Sequence, residues 1–459
     1  SEWRLWDLHI HTPASYNYSG QRFATMNAAD KSAAITQIIT NINESDVAVY
    51  AINDYWTFDG YLELRKAHEA GQTIKKTFFP AIELRIESAS EARLNIHVVF
   101  SDKLTVQQLN DFKYQLRLRL TDRPLSDEAI REFALTLDGA KARVHGAPEG
   151  YRDKPEELAL LGLKTAEVTR ASFEAVLKTI PADQRLVMIP YDSYGGMDNV
   201  DWETQPAENL YFVRMVDVIE TRNQKNIDLF NLKKTATNTA LIENVAKAIG
   251  GLAKPCVSGS DGHSIASFKT WRAETALRKT WIKADPTFEG LRQILFEPTA
   301  RVRVQETSPV ANYTKPFVST VVIAQEFSPF PPNPQYENPR FGQEAGLVLN
   351  SDLVCVIGGR GTGKSCLVDY LGKSFGPASK TSSYVPSEHF KVVFNKDLAS
   401  TTTHHAKEGA ELPFVYISQN EVKAKVTTGT VGDEIKQMRG VQGLSFDSEI
   451  DTKIRNILA

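Results

Sequence analysis

Two histidines separated by one residue, His9 and His11 in Asp-Leu-His-Ile-His-Thr, fall on one side of an extended strand, where alternate side chains share a face. Imidazoles placed this way can grip one divalent ion while Leu8 and Ile10 pack behind them. Far downstream, Gly358-Gly359-Arg360-Gly361-Thr362-Gly363-Lys364-Ser365 satisfies the pattern Gly-x-x-x-x-Gly-Lys-Ser/Thr, after the apolar run 353–357 and before a helical pattern over 366–371. Glycines let backbone N–H groups curl around phosphate oxygens, Lys364 reaches the β and γ phosphates, and the Ser365 hydroxyl holds Mg²⁺. The chemistry indicated is metal-assisted work on phosphate together with ATP binding.

From residue 3 to about 305, short β-rich runs over 47–52, 78–84, 95–100, 186–189, 216–220 and 256–258 alternate with helix-length amphipathic stretches. That alternation predicts parallel strands with crossover helices, in an open sheet or a barrel. Asp54, Glu83 and Asp261 each closely follow an apolar run, where barrel enzymes assemble their active sites. Asp54 is placed either to orient a ligand or to act as a base, and Glu220, beside Arg222, either to line the pocket or to balance charge. The spacing predicts one long helix over 227–249 and shorter ones over 129–137 and 173–180. His145 reads as a loop residue, and His404 and His405 as surface.

The domain boundary is expected near residue 310. Pro329, Pro331, Pro332, Pro334 and Pro339 then form a loop inside the second domain, between β-type runs over 317–324 and 347–357. At 459 residues the chain has room for two to three domains of roughly 150 residues. Hydrophobic content of 42% and charged content of 24% exclude a disordered or collagen-like chain. A net charge of −3 neither implies nor excludes nucleic acid, and the densest basic stretch, Arg117 to Arg143, reads as a solvated helix face. Three cysteines, Cys256, Cys355 and Cys366, suit reduced thiols, and no apolar run reaches the roughly 20 residues of a membrane span. The expected location is cytoplasmic, with no membrane contact.

The second domain resembles the ABC-type ATPases. Gln419, closing the apolar run 412–418, matches the glutamine that in that family contacts Mg²⁺ and water beside the γ phosphate. No Leu-Ser-Gly-Gly signature follows, and Asp433-Glu434 lacks the apolar run that precedes a catalytic acid pair, so the C-terminal lobe of such a head is absent from this sequence. In the structural-maintenance-of-chromosomes class a coiled coil separates the two lobes, and the helical pattern over 432–459 resembles its start. The resemblance implies pairing of two copies through their heads, with ATP between them.

Residues 3 to 305 resemble the polymerase and histidinol phosphatase (PHP) family. The match rests on His-x-His at 9 and 11, Asn53-Asp54-Tyr55, Glu83 in Pro-Ala-Ile-Glu, His97 in Asn-Ile-His-Val, and Asp261-Gly262-His263. The resemblance implies a distorted (β/α)7 barrel whose mouth binds ions such as Zn²⁺ or Mn²⁺ through His9, His11, Glu83 and Asp261, with Glu83 and His97 at a second site and His263 at a third. Asn17, Tyr55, Tyr191 and Asp192 stand where further histidines belong, which leaves one good site, a weakened second and a lost third. A PHP domain fused to an ABC-type head resembles the TrlF-like ATPases. That likeness implies an ATP-regulated phosphoesterase acting on nucleic acid, plausibly in antiphage defence. A non-catalytic barrel that recruits a protein partner is the competing expectation.

Overall fold

A computed structural model describes residues 2–89, 93–271, 278–311, 316–335, 337–338, 343–351, 353–375, 384–396, 400–412 and 416. The chain divides into two compact units, Ser1–Ala311 and Asn312–Ala459.

In the first unit the apolar runs become strands β1 (Trp3–Ile10), β2 (Val47–Tyr55), β3 (Thr77–Ile86), β4 (Leu94–Phe100), β5 (Arg185–Pro190), β6 (Val218–Glu220), β7 (Cys256–Val257), β8 (Lys279–Lys283) and β9 (Val302–Gln305). They join in the order β7-β6-β5-β4-β3-β2-β1-β8-β9. The expectation of seven parallel strands needs correction. The pairs β1–β2, β2–β3, β5–β6 and β6–β7 are parallel, but β3–β4, β4–β5, β1–β8 and β8–β9 are antiparallel. Residues 87–93 between β3 and β4 are too few to carry a crossover helix, so that pair can only reverse.

The sheet curls until its two ends meet. Ser258, directly after β7, donates its N–H to Thr280 Oγ1 on β8 at 2.6 Å, and the same hydroxyl donates to the Ser258 carbonyl at 2.8 Å. One buried cluster draws side chains from all nine strands, from Trp6 on β1 through Phe79 on β3 to Val302 on β9. Such a cluster is the filled interior of a distorted barrel. Phe288 and Leu291 from the short helix Phe288–Arg292 pack into the same interior. Outside, helix Ala28–Glu44 begins where Asn27 accepts the Asp30 N–H, and it buries Ile35, Ile38, Ile39 and Ile42 at helical spacing.

Two local expectations also change. Leu8 and Ile10 do not share a face: Leu8 packs inside with Trp6, while Ile10 joins the outer cluster with Leu5. The register of β1 against β2 shifts between Asp7 and Ile10, and this irregularity re-aims the side chains that follow Leu8. The long helix over 227–249 is two helices, Gln224–Phe230 and Ile242–Ala248. Leu232 takes a left-handed φ of 57°, and Thr235 and Asn238 form a local hydrogen-bonded turn that competes with helix continuation.

In the second unit β10 (Phe317–Ile323), β11 (Gln343–Val348), β12 (Phe390–Asn395) and β13 (Thr401–His405) form an antiparallel sheet in the order β11-β10-β12-β13. Tyr370 and Phe375 of helix Lys364–Phe375 join Val321, Phe390 and Val392 in its core. The β-type run expected over 347–357 stops at Val348. Residues 353–357 are irregular, with Leu353 75% and Ile357 90% exposed, because no strand among the described residues offers them a ladder. Gln419, the Asp433-Glu434 pair and the helical pattern over 432–459 lie outside the described residues. No helix among the described residues is long and apolar enough to cross a membrane.

All six tryptophans lie in the first unit, so tryptophan fluorescence reports on the barrel alone. Phe79→Ala, at a fully buried site of the barrel interior, is expected to cost about 3–5 kcal/mol in urea unfolding followed by that signal. A loss below about 1 kcal/mol would show that the interior is not close-packed.

Candidate metal centre

Three strands carry an inward row that is apolar until it reaches the barrel mouth, where polar residues take over. On β3 the row runs Phe79, Ala81, Glu83; on β4 Val99 precedes His97 along the mouth direction; on β6 Val218 precedes Glu220. Each functional side chain is therefore the next step of a packed core row. The segment after β7 closes the set. Asp261 N–H donates to the His9 carbonyl at 2.8 Å, and His11 N–H to the Gly262 carbonyl at 3.0 Å. Asp261 is held at a left-handed φ of 48°, an uncommon conformation for a side-chain-bearing residue. Gly259 lies so near His9 that a Cβ there would fall 2.2 Å from His9 Cβ.

Four atoms meet at one point. His9 Nε2 lies 3.2 Å from His11 Nε2, 3.5 Å from Glu83 Oε2 and 3.5 Å from Asp261 Oδ1. His11 Nε2 lies 3.4 Å from Glu83 Oε2 and 3.5 Å from Asp261 Oδ1. Donors about 2.0–2.2 Å from a tetrahedral ion stand roughly 3.3–3.6 Å from one another. Five of the separations among these four atoms thus fall close to that range, in two donor triangles that share the His9–His11 edge, one closed by Glu83 and one by Asp261.

Beside this group, His97 Nε2 lies 3.9 Å from Glu83 Oε1 and 3.8 Å from Glu220 Oε2. Glu220 also takes His9 Nδ1 at 2.9 Å and the Gly259 N–H at 3.1 Å. Once His9 has lost its second proton, this carboxylate would keep the remaining one on Nδ1 and leave Nε2 as a lone-pair donor. His263 joins from the other side, its Nε2 3.0 Å from Asp261 Oδ1 and its ring stacked on His11 at 4.2 Å. All six residues expected at an ion site come together, and Glu220 is added to them.

Buried polar atoms without partners mark the same place. Glu83 Oε2, His11 Nδ1 and both ring nitrogens of His97 have no hydrogen-bond partner, although Glu83 and His97 are at most 1% exposed. Orphaned buried donors and acceptors are expensive, and a divalent ion satisfies such a set of imidazoles and carboxylates. Electrostatics agree with that reading. Burial brings His11 down to about 4 and lowers His97, so both rings are neutral ligands at pH 7. Burial would raise Glu83, but His97, His9 and His11 pull it down to about 2. On His9 burial opposes charge, yet Glu220, Glu83 and Asp261 outweigh it and hold the pKa well above the usual value.

Asp54 stands outside all three ligand groups. Thr12 donates to it twice, from N–H to Oδ1 and from Oγ1 to Oδ2, each at 2.7 Å, and burial pushes its pKa up to about 7. Asn17 and Asp192 are exposed, while Tyr191 is buried and accepts from Trp202. Tyr55 stacks flat on His11 at 5.2 Å and 5°. In the second unit Gly361 and Gly363 take φ values of 84° and 86°, and Lys364 begins its helix with Nζ on the Gly359 carbonyl.

No family model matches the chain, and no curated protein matches it. Among solved structures it is similar to a protein of Bifidobacterium adolescentis described as a metal-dependent phosphoesterase, at 13% identity and a TM-score of 0.30, covering 57% of this chain and 89% of that one. A lesion-specific endonuclease from Pyrococcus furiosus matches at 12% identity and a TM-score of 0.36, covering 71% of this chain and 63% of that one. An amidohydrolase from Chromobacterium violaceum matches at 15% identity and a TM-score of 0.30, covering 66% and 98%.

Because His9 holds a proton at neutral pH and must give it up to ligate, Zn²⁺ uptake at pH 7 is expected to release about one proton. Calorimetry in two buffers of different ionisation enthalpy reads that number, and affinity should fall as pH drops below the raised His9 value. No proton release would mean that His9 is already neutral.

Proposed function

We propose that the first unit is a metal-dependent phosphoesterase, most specifically a nuclease, and that ATP bound by the second unit regulates it. The observation that carries this reading is the approach of Glu83 and Asp261, each within 3.5 Å, to the paired Nε2 atoms of His9 and His11 at the mouth of a packed barrel interior. These four hold a first divalent ion, Zn²⁺ or Mn²⁺, and His97, with Glu83 Oε1 at 3.9 Å and Glu220 Oε2 at 3.8 Å from its Nε2, stands ready for a second. Bound there, such ions supply Lewis acidity at a phosphoryl oxygen and neutralise charge as the ester bond breaks. Glu220 fixes the His9 ring, and His263 orients Asp261. Asp54 serves as a positioning residue: by clamping Thr12 it holds the turn directly after His11.

For the second unit, the residues 358–365 and the helix behind them support binding of ATP with Mg²⁺, with Gln419 as a further ligand contact. Pairing of two copies through this unit, a cytoplasmic setting with reduced Cys256, Cys355 and Cys366, and a role in antiphage defence complete the proposal. One observation favours a second reading. Tyr55 occupies the face of His11 where another ligand would sit, which suits a sensing barrel that recruits a protein partner.

Elemental analysis and a cleavage panel of labelled DNA and RNA, with and without ATP, separate these readings. His9→Ala should lose the ion and at least about 10²-fold in cleavage, and Glu220→Gln should lose about 10–100-fold through poorer metal affinity. Cleavage unchanged in His9→Ala would sink the enzyme assignment. Lys364→Ala is expected to abolish ATP binding and with it the effect of ATP on the cleavage rate. An ATP response that persists in this variant would remove the regulatory role of the loop.

A further inference from the structure

A cavity of about 360 Å³ opens beside the ligand cluster, with Arg85, Arg93, Asn95, Tyr194 and Asp198 in its walls. A single side chain separates the two: Asn95 Nδ2 donates to Glu83 Oε1 at 2.7 Å. Arg85 is 1% exposed, an expensive place for a guanidinium. Its Nη1 donates to the Leu163 carbonyl and its Nη2 to the Tyr16 hydroxyl, each at 2.6 Å, while Arg93 donates to the Lys164 carbonyl at 2.7 Å. Both guanidiniums therefore sit at the C-terminal end of helix Pro155–Thr165, next to Lys164. His145 stands close enough that partial burial, and then the positive charges of Arg93, Arg85 and Lys164, lower its pKa.

The helix end explains part of this arrangement but not its charge. A helix C-terminus offers about half a negative charge, Asp198 adds one at the cavity wall and Glu83 one behind Asn95, against Arg85 and Arg93 in the wall and Lys164 near His145. Among the described residues none of these three forms an ion pair with a carboxylate. A guanidinium has five N–H donors, so both arginines keep donors to spare after these bonds. Asn95 Oδ1 is buried without a partner, an acceptor waiting for a hydroxyl or amine. Tyr16 and Tyr55 also line a second cavity of about 560 Å³, where Trp56 and Tyr114 stand among Lys113 and Arg131, with the carboxylates Asp59 and Asp127 in the same wall.

We propose that the basic cavity seats a phosphate of a single-stranded polynucleotide, one nucleotide along from the phosphate at the ligand cluster, while the aromatic cleft takes a neighbouring base. The proposal rests on the phosphoesterase reading and gives it a substrate class. An isolated phosphomonoester has its one phosphate at the ions and leaves the basic cavity empty. A phosphodiester chain brings a second anion with sugar oxygens and amines beside it. Arg85 and Arg93 offer paired N–H groups to the phosphate oxygens, Lys164 adds positive charge from outside the cavity wall, and ring faces accept any base by stacking.

The test is binding rather than turnover. Fluorescence anisotropy of a fluorescein-labelled single-stranded DNA hexanucleotide is measured against the full chain, in EDTA, over a series of salt concentrations. Arg93→Gln and Lys164→Gln are each expected to weaken binding about tenfold and to flatten the slope of log affinity against log salt by about 0.7. Lys103→Gln removes an exposed charge that lines neither cavity and should leave the curve in place. Affinity within twofold of wild type and an unchanged slope in both Arg93→Gln and Lys164→Gln overturn the proposal, even where metal-dependent cleavage persists. Loss of binding in these variants, in a protein that cleaves nothing with metal, would instead uphold the seat and reject the enzyme reading.

Discussion

Buried carboxylates are the constraint on which the barrel mouth depends. Glu83 is 1% and Glu220 5% exposed, and removing a carboxylate from water costs several kcal/mol unless positive charge is placed against it. Three imidazoles meet that demand at contact distance: His9 between both acids, His11 against Glu83, and His97 against both. Without an ion, one proton on His9 supplies much of the compensation: Glu220, Glu83 and Asp261 hold its pKa high, while burial, which no partner outweighs, lowers those of His11 and His97. An ion replaces that proton with a larger charge at the same point. The fold beneath answers the same requirement, since the apolar rows ending in Glu83, His97 and Glu220 hold the charges in register.

Much of this was legible from residue types alone, because an acid or a histidine directly after an apolar run has few reasons to be there. Asp54, Glu83 and Asp261 stood out in that way, whereas His97, inside the run 95–100, was found only through the family resemblance. Glu220 carried the same signal, an acid closing the run 216–220, but Arg222 offered it a partner on paper; in space it faces His9 instead. The shift in β1 was not legible. Strict alternation puts Leu8 and Ile10 on one face, and only pairing with β2 shows that the register slips between Asp7 and Ile10. The helix over 227–249 was misjudged for a related reason: apolar residues keep helical spacing through 231–241, while Leu232 and the Thr235–Asn238 turn take the backbone elsewhere.

The second unit shows what a local motif does not contain. Its glycines take the left-handed angles that the pattern requires, and a helix begins at Lys364. The apolar run before them does not become a strand, because a strand is a relation between segments and no strand among the described residues pairs with it. A β-type run read from sequence is an offer of pairing, and pairing needs a second party.

The His11 imidazole lies between two parallel rings, Tyr55 on one side at 5.2 Å and His263 on the other at 4.2 Å, with interplanar angles of 5° and 7°. A ring clamped on both faces cannot swing outward to lengthen its bond to an ion. With His9 fixed by Glu220 and Asp261 fixed by its backbone, the cage has little freedom to dilate. The donor separations of 3.2–3.5 Å match cations that bond at about 2.0–2.2 Å better than Ca²⁺, whose oxygen ligands sit at about 2.3–2.6 Å and whose shell calls for six to eight of them.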